Sequence, residues 1–170
     1  MDYNTFRKIP PPPIITMPQD PNNLIWIDME MSGLNPDTDK VLEIAIVVTD
    51  SALNTVAEAP VLVVRQPDAV LDGMDDWNRS THAKSGLVER VKASILAEAA
   101  VQQTLVAFLS QHVPPRISPM CGNTVHQDRR FMARHLPDLE AYLSERPYAN
   151  DADMLRTRLP ELREAIRRLN

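Results

Sequence analysis

Apolar positions cluster in two different rhythms along the chain, and the change of rhythm divides it. From Asn22, "NLIWIDMEM" is a run apolar on both faces, the pattern of a central strand in a covered sheet. Ser32 to Asp39 carries Gly, Pro and Asp and reads as a loop. Lys40 to Asp50, "KVLEIAIVVTD", predicts a second buried strand, and Thr55 to Gln66 a third after the short link Ala52 to Asn54. Links this short imply an antiparallel meander. Beyond Gln66 the period lengthens. Asp68 to Ser94 reads as short helices and turns, and Ile95 to Val113 as one amphipathic helix stopped by Pro114 and Pro115. Ile117 to Asn123 predicts a short strand ending in a Gly-Asn turn. Thr124 to Leu136 predicts a helix that Thr124 and Gln127 could open as a capping box. After Pro137, "DLEAYL" and the charged stretch from Asp151 to Asn170 read as helical. A meander, then helices, a strand and more helices define an α/β domain with a mixed sheet.

Residues 1–21 stand apart. Pro10 to Pro13 is stiff and cannot be helical, so this segment is expected to be a disordered leader; docking on a proline-recognising partner is the alternative. Met17 could also be the start, since the compact pattern begins just after it. The remaining residues, 22–170, are expected to form one domain.

Composition narrows the function classes. The 170 residues are 44% hydrophobic and 24% charged, with a net charge of −5. That balance argues against sequence-blind binding of long duplex nucleic acid, though not against a short strand held by metal ions and a few side chains. A single cysteine, Cys121, allows no intrachain disulfide and fits a reduced, cytoplasmic protein. No apolar window reaches membrane-spanning length, and no secretory signal is visible.

The chemistry starts with Asp28 and Glu30. Alternate strand residues share a face, so these acids point the same way about 7 Å apart, near the end of a strand expected to be buried. Buried carboxylates are costly unless a cation joins them. Carboxylate oxygens suit Mg²⁺ or Mn²⁺, and two such ions about 4 Å apart can clamp a phosphodiester. The alternatives are that both acids face solvent at the strand end, or that each pairs with Lys or Arg. Asp128, about one turn into the helix after "CGN", is a third candidate; an acid in a first helical turn is also favourable by itself.

The motifs then point to a family. "WIDMEMSGL" resembles the first motif of the DEDD exonucleases, whose paired acids occur as Asp-x-Glu. "CGNTVHQDRRF" and "DDWNRSTHAKSGLVERVKAS" resemble the second motif and the middle of the oligoribonuclease branch. The resemblance runs from about Asn22 to Tyr142. It implies a ribonuclease H-like fold, two divalent ions, a homodimer, and 3′-to-5′ hydrolysis of short oligoribonucleotides to mononucleotides. Carried over, it makes Asp28, Glu30 and Asp128 metal ligands, Leu34 and Trp77 an apolar wedge for bases, and Thr124 and Arg146 phosphate contacts. Trp77 could equally be a core residue. His82 could meet substrate, but a structural role is the preferred reading.

The family pattern also requires a general-base histidine and, five positions later, a fourth aspartate. No His-x-x-x-x-Asp follows Asp128 in the 170 residues. His135 and Glu140 have that spacing, but His135 shares a helix with Asp128 and Pro137 interrupts the pair. His126 would point elsewhere. Tyr148 with Asp151 and Asp153 does not fit the tyrosine variant. No general base is therefore assigned. The tail from 143 to 170 diverges, and Glu145 stands where the family has a tyrosine supplied across the dimer. The sequence thus predicts a C-terminally incomplete fold and impaired hydrolysis, with a non-catalytic binder of short RNA or nucleotides, or a degenerate paralogue dimerising with a full-length relative, as the alternatives.

Overall fold

The computed structural model describes residues 19–143. Its centre is a mixed sheet. Strands β1 (Leu24–Met31) and β2 (Val41–Thr49) form a long antiparallel pair in which Leu24 faces Thr49 and Glu30 faces Glu43. β3 (Thr55–Glu58) and β4 (Leu62–Val63) both pair antiparallel with β2. The single strand expected from Thr55 to Gln66 is thus two. Pro60 has no N–H to give to a ladder, and the chain leaves the sheet there. β5 (Met120–Cys121) lies parallel to β1 on its other side, giving the order β3-β2-β1-β5. The expected strand from Ile117 to Asn123 is reduced to these two residues.

The helices are α1 (Asp68–Asp72), α2 (Asp76–Lys84), α3 (Leu87–Ala93), α4 (Glu98–Leu109), α5 (Val125–His135) and α6 (Pro137–Tyr142). The helix expected from Ile95 to Val113 is only α4. Ile95 stays outside it, 91% exposed, while Ser94 holds the entry by donating to the Val63 carbonyl. Val101, Leu105 and Leu109 of α4 recur at helical spacing and are fully buried. With Phe131, Met132 and Leu139 they cover the sheet face made by Ile25, Ile27, Ile44, Ile46 and Val48.

The other face is divided. Its upper part buries Leu24, Trp26, Ala45, Val47 and Cys121, and the Trp26 indole N–H donates to Thr49 Oγ1 at 3.0 Å. At its lower end Leu42 packs with Leu71, Met74, Leu87 and Val91 from α1, α3 and the turn between α1 and α2. Between these two clusters the face is open, and that gap is where Asp28 and Glu30 lie. The pattern of β1 therefore corrects the expectation of buried acids: both are exposed, while Ile27 and Met29 between and beside them are buried.

Gly122 joins β5 to α5 where the backbones nearly touch. A Cβ on it would sit 2.6 Å from the Ile27 carbonyl oxygen, and backbone cannot yield as a side chain can. Gly122→Ala is expected to lower unfolding free energy by about 1–3 kcal/mol in urea denaturation; an unchanged midpoint would mean that α5 can shift freely against β1.

Among the described residues, no helix is long and apolar enough to cross a membrane. The leader up to residue 18, the tail from residue 144, Glu145 and Arg146 lie outside the described residues.

Candidate active site

β5 pairs with β1 only at Ile25 and Trp26, so the lower half of β1 has a free edge on that side. The turn after β5 directs α5 across this edge. Asp128, 5% exposed, lies against this edge, close enough to the Met29 main-chain N–H and to the charges of Asp28 and Glu30 to feel all three.

The electrostatics follow from this crowding. Burial, then the Asp28 charge, push the Asp128 carboxyl up to about 7, against the opposing pull of the main-chain N–H groups of Asp128 and Met29; Glu30 adds a further upward push. Glu30 is also raised, first by partial burial, with the His82 charge acting the other way and the Asp28 and Glu43 charges adding to the rise. Acids that raise one another in this way favour a cation between them.

Glu43 is a fourth acid, across the ladder from Glu30, but it is already committed. It is 5% exposed and held by Arg90, whose Nη2 lies 2.9 Å from Oε2 and 3.2 Å from Oε1. Among the described residues neither Glu30 nor Asp128 forms an ion pair with a lysine or arginine; His82 Nδ1 lies 3.9 Å from Glu30 Oε2, and Arg90 reaches Glu30 only through its charge. The alternative that each acid has its own arginine or lysine therefore holds for Glu43, which the sequence reading passed over, and not for Glu30 or Asp128. The signal was present: Glu43 too is an acid inside an apolar strand.

His82 is 3% exposed and its Nε2 lies 2.9 Å from the Met31 carbonyl. A carbonyl only accepts, so Nε2 donates. His82 thus pins α2 to the end of β1, in keeping with the structural role. The same helix carries Trp77 near its start, 71% exposed, so the core-residue alternative for Trp77 is excluded. Leu34, in the loop after β1, is 74% exposed. Thr124 precedes α5 with φ 54° and ψ 27°, a left-handed backbone uncommon for a β-branched residue. Its hydroxyl donates to the Asn123 carbonyl at 2.7 Å, not to the helix. The expected capping box does not form, since the Gln127 side chain turns to the Leu34 carbonyl instead.

Among the described residues, no group of three or more His, Cys, Asp or Glu side chains is already arranged as a metal cage. Mg²⁺ rarely asks for one. It is commonly held by one or two carboxylates, with water and phosphate oxygens completing the shell. Asp28 with Glu30, and Asp28 with Asp128, are hard-oxygen pairs that suit this demand, and the raised Asp128 marks where positive charge is favoured. A site of this kind, at the open end of a strand in a mixed sheet, characterises the ribonuclease H-like nucleases.

The comparisons agree. A product-bound exonuclease I superposes with a TM-score of 0.59 at 21% identity, covering 82% of this chain and 33% of that one. Exonuclease I from Methylocaldum szegediense gives 0.56 at 20% identity, covering 82% and 30%. At such identities these structures speak for the ribonuclease H-like fold. In sequence, the family RNase_T, described as "Exonuclease", matches residues 25–169. The oligoribonuclease of Chromobacterium violaceum is 65% identical over 130 residues, covering 76% of this chain and 72% of that protein. That of Nitrosomonas eutropha is 66% identical over the same length and the same shares. The chain belongs to the exonuclease family, in its oligoribonuclease branch.

Proposed function

We propose that this protein hydrolyses short oligoribonucleotides from the 3′ end to mononucleotides, using Asp28, Glu30 and Asp128 as ligands for Mg²⁺ or Mn²⁺. The observation that carries the reading is the buried Asp128 of α5, set beside β1 close enough to feel the charges of both Asp28 and Glu30. Divalent ions bound there would supply Lewis-acid polarisation of the phosphate and an activated water. The chain's own part is positioning. Asp28 and Glu30 project from one face of a strand fixed by β2 on one side. His82 fixes the end of that strand to α2. Leu34 and Trp77, exposed on the loop and helix flanking the acids, form an apolar platform for bases, and Thr124 stands at the entry to α5 to meet phosphate. Stacking on an indole face tolerates any base, which suits short fragments of every sequence. Trp77→Ala is expected to raise KM for a diribonucleotide about 5- to 150-fold, the equivalent of about 1–3 kcal/mol for one stacked base. An unchanged KM would remove Trp77 from the substrate site.

Homodimerisation, a cytoplasmic location and an Arg146 phosphate contact belong to the same proposal. So does slow turnover: the 170 residues hold no His-x-x-x-x-Asp after Asp128, and general-base assistance is worth about 10²–10⁴ in rate. This favours a second reading, a binder of short RNA with little hydrolysis, supported by the exposure of Leu34 and Trp77. A 5′-labelled diribonucleotide incubated with the chain and Mn²⁺ decides between them. Mononucleotide release supports the enzyme. Tight binding without release supports the binder. Absence of both removes the nucleic-acid reading.

A further inference from the structure

Leu34 presents a problem of aim. With 74% of its surface exposed, it is not placed by packing. Its direction depends on how its own main chain is held. The Gln127 side chain holds it: Nε2 donates to the Leu34 carbonyl at 2.6 Å. The other end of the same amide is occupied as well, since Arg130 Nη1 donates to Gln127 Oε1 at 2.8 Å. Arginine can only donate and a carbonyl can only accept, so the two contacts fix which way the amide faces. Arg130 lies three residues further along α5, on the same side of the helix, and steadies the amide against competition from water.

Two more residues of α5 tie the same loop. His135 Nε2 donates to the Pro36 carbonyl at 2.9 Å, in a buried position. Arg134 Nε is 3.6 Å from Asp37 Oδ1, an exposed pair that contributes little. Residues 127, 134 and 135 share one helix face, so α5 laces down the loop from Leu34 to Asp37. His135 anchors the buried end, and at the exposed tip Gln127 holds the Leu34 carbonyl while Asp39 Oδ2 accepts from the Asn35 N–H of the same peptide at 2.9 Å. The residue next to Gln127 in sequence is Asp128.

We propose that Gln127 is a positioning residue that sets the distance between the Leu34 base platform and the acids, by holding the Leu34 main chain to the helix that carries Asp128. The inference rests on the reading of Leu34 as a base contact. It gives Gln127 no contact with substrate; its effect passes through Leu34.

Gln127→Met keeps the length and helix preference of the side chain, adds no charge and removes the donor. The probe is a 5′-fluorescent diribonucleotide with a non-hydrolysable internucleotide linkage, titrated in Mn²⁺ against the full chain, so that binding is read apart from turnover. Gln127→Met is expected to weaken binding about fivefold, the loss of one hydrogen bond's net worth. Leu34→Ala is expected to weaken it at least as much, and the double variant no further than Leu34→Ala alone. A merely structural role would instead add its loss to that of Leu34→Ala. Amide exchange of residues 33–35 is expected to quicken in Gln127→Met while α4 remains protected. Unchanged affinity in Gln127→Met, or losses that multiply in the double variant, overturns the proposal while leaving the base platform intact. A wild-type chain that does not bind the probe overturns the platform reading, and this inference with it.

Discussion

Asp128→Asn is expected to make the metal-free protein more stable at pH 8 and, in the same variant, to abolish stabilisation by Mn²⁺. The sign follows from the raised carboxyl. Asp128 titrates near 7 in the fold against an ordinary value of 3.8, so between about pH 4 and pH 7 the folded state holds a proton that the unfolded state has released. Stability from this group is full below pH 4, falls as pH rises through that window, and is lost above about 7. An asparagine carries no charge and has nearly the same size and shape. The gain at pH 8 has a ceiling of about 4 kcal/mol, from about three pKa units at 1.36 kcal/mol each. About half of that, visible as a rise of several degrees in Tm, is the working expectation. Divalent metal stabilises the wild-type chain by mass action, since the site exists only in the folded state. The variant loses a charged oxygen ligand and with it that response. A variant less stable than wild type at pH 8 without metal, or one that Mn²⁺ stabilises as before, would show that Asp128 is a structural acid.

Asp28→Ala is expected to lower Mn²⁺-dependent mononucleotide release at least about a thousandfold, because ligand loss removes several kcal/mol of phosphate charge stabilisation. Glu30→Gln is expected to act in the same direction. Glu43→Gln makes the contrast. Glu43 is an acid of the same sheet face, but Arg90 neutralises it, so its replacement should cost stability and leave Mn²⁺ affinity near that of wild type. Mn²⁺ affinity measured directly serves where wild-type turnover is slow. Equal loss of Mn²⁺ affinity in the Asp28 and Glu43 variants would mean that general negative charge, not a specific set of ligands, draws the ion.

The acids differ in how visible they were. Asp28 and Glu30 break an apolar run at spacing two, which is legible without coordinates. Asp128 could be singled out only by motif resemblance, because an acid in a first helical turn is ordinary. What distinguishes it is its buried place against β1, about a hundred residues away in sequence, under the charges of Asp28 and Glu30. Glu43 carried the same local signal as Glu30 and has the opposite fate; Arg90, 47 residues on, makes the difference. Gln127 read naturally as half of a capping box, a local pairing. It was drawn away by the Leu34 carbonyl, 93 residues distant in sequence. The long strand through Pro60 and the long helix from Ile95 were overdrawn because hydrophobic period continues past the point where hydrogen bonding stops.

The order and kind of the elements were determined by the sequence itself, since burial period and chain breakers act over a few residues and need no distant partner. So were the two strand acids, whereas Leu34 and Trp77 were singled out only through the family resemblance. The tertiary structure decided which carboxylates remain available to a cation, which side of β1 is open, and where Leu34 points. Each of those depends on groups that meet only when β5 stops short and α5 crosses the free edge of β1, and no local pattern encodes that meeting.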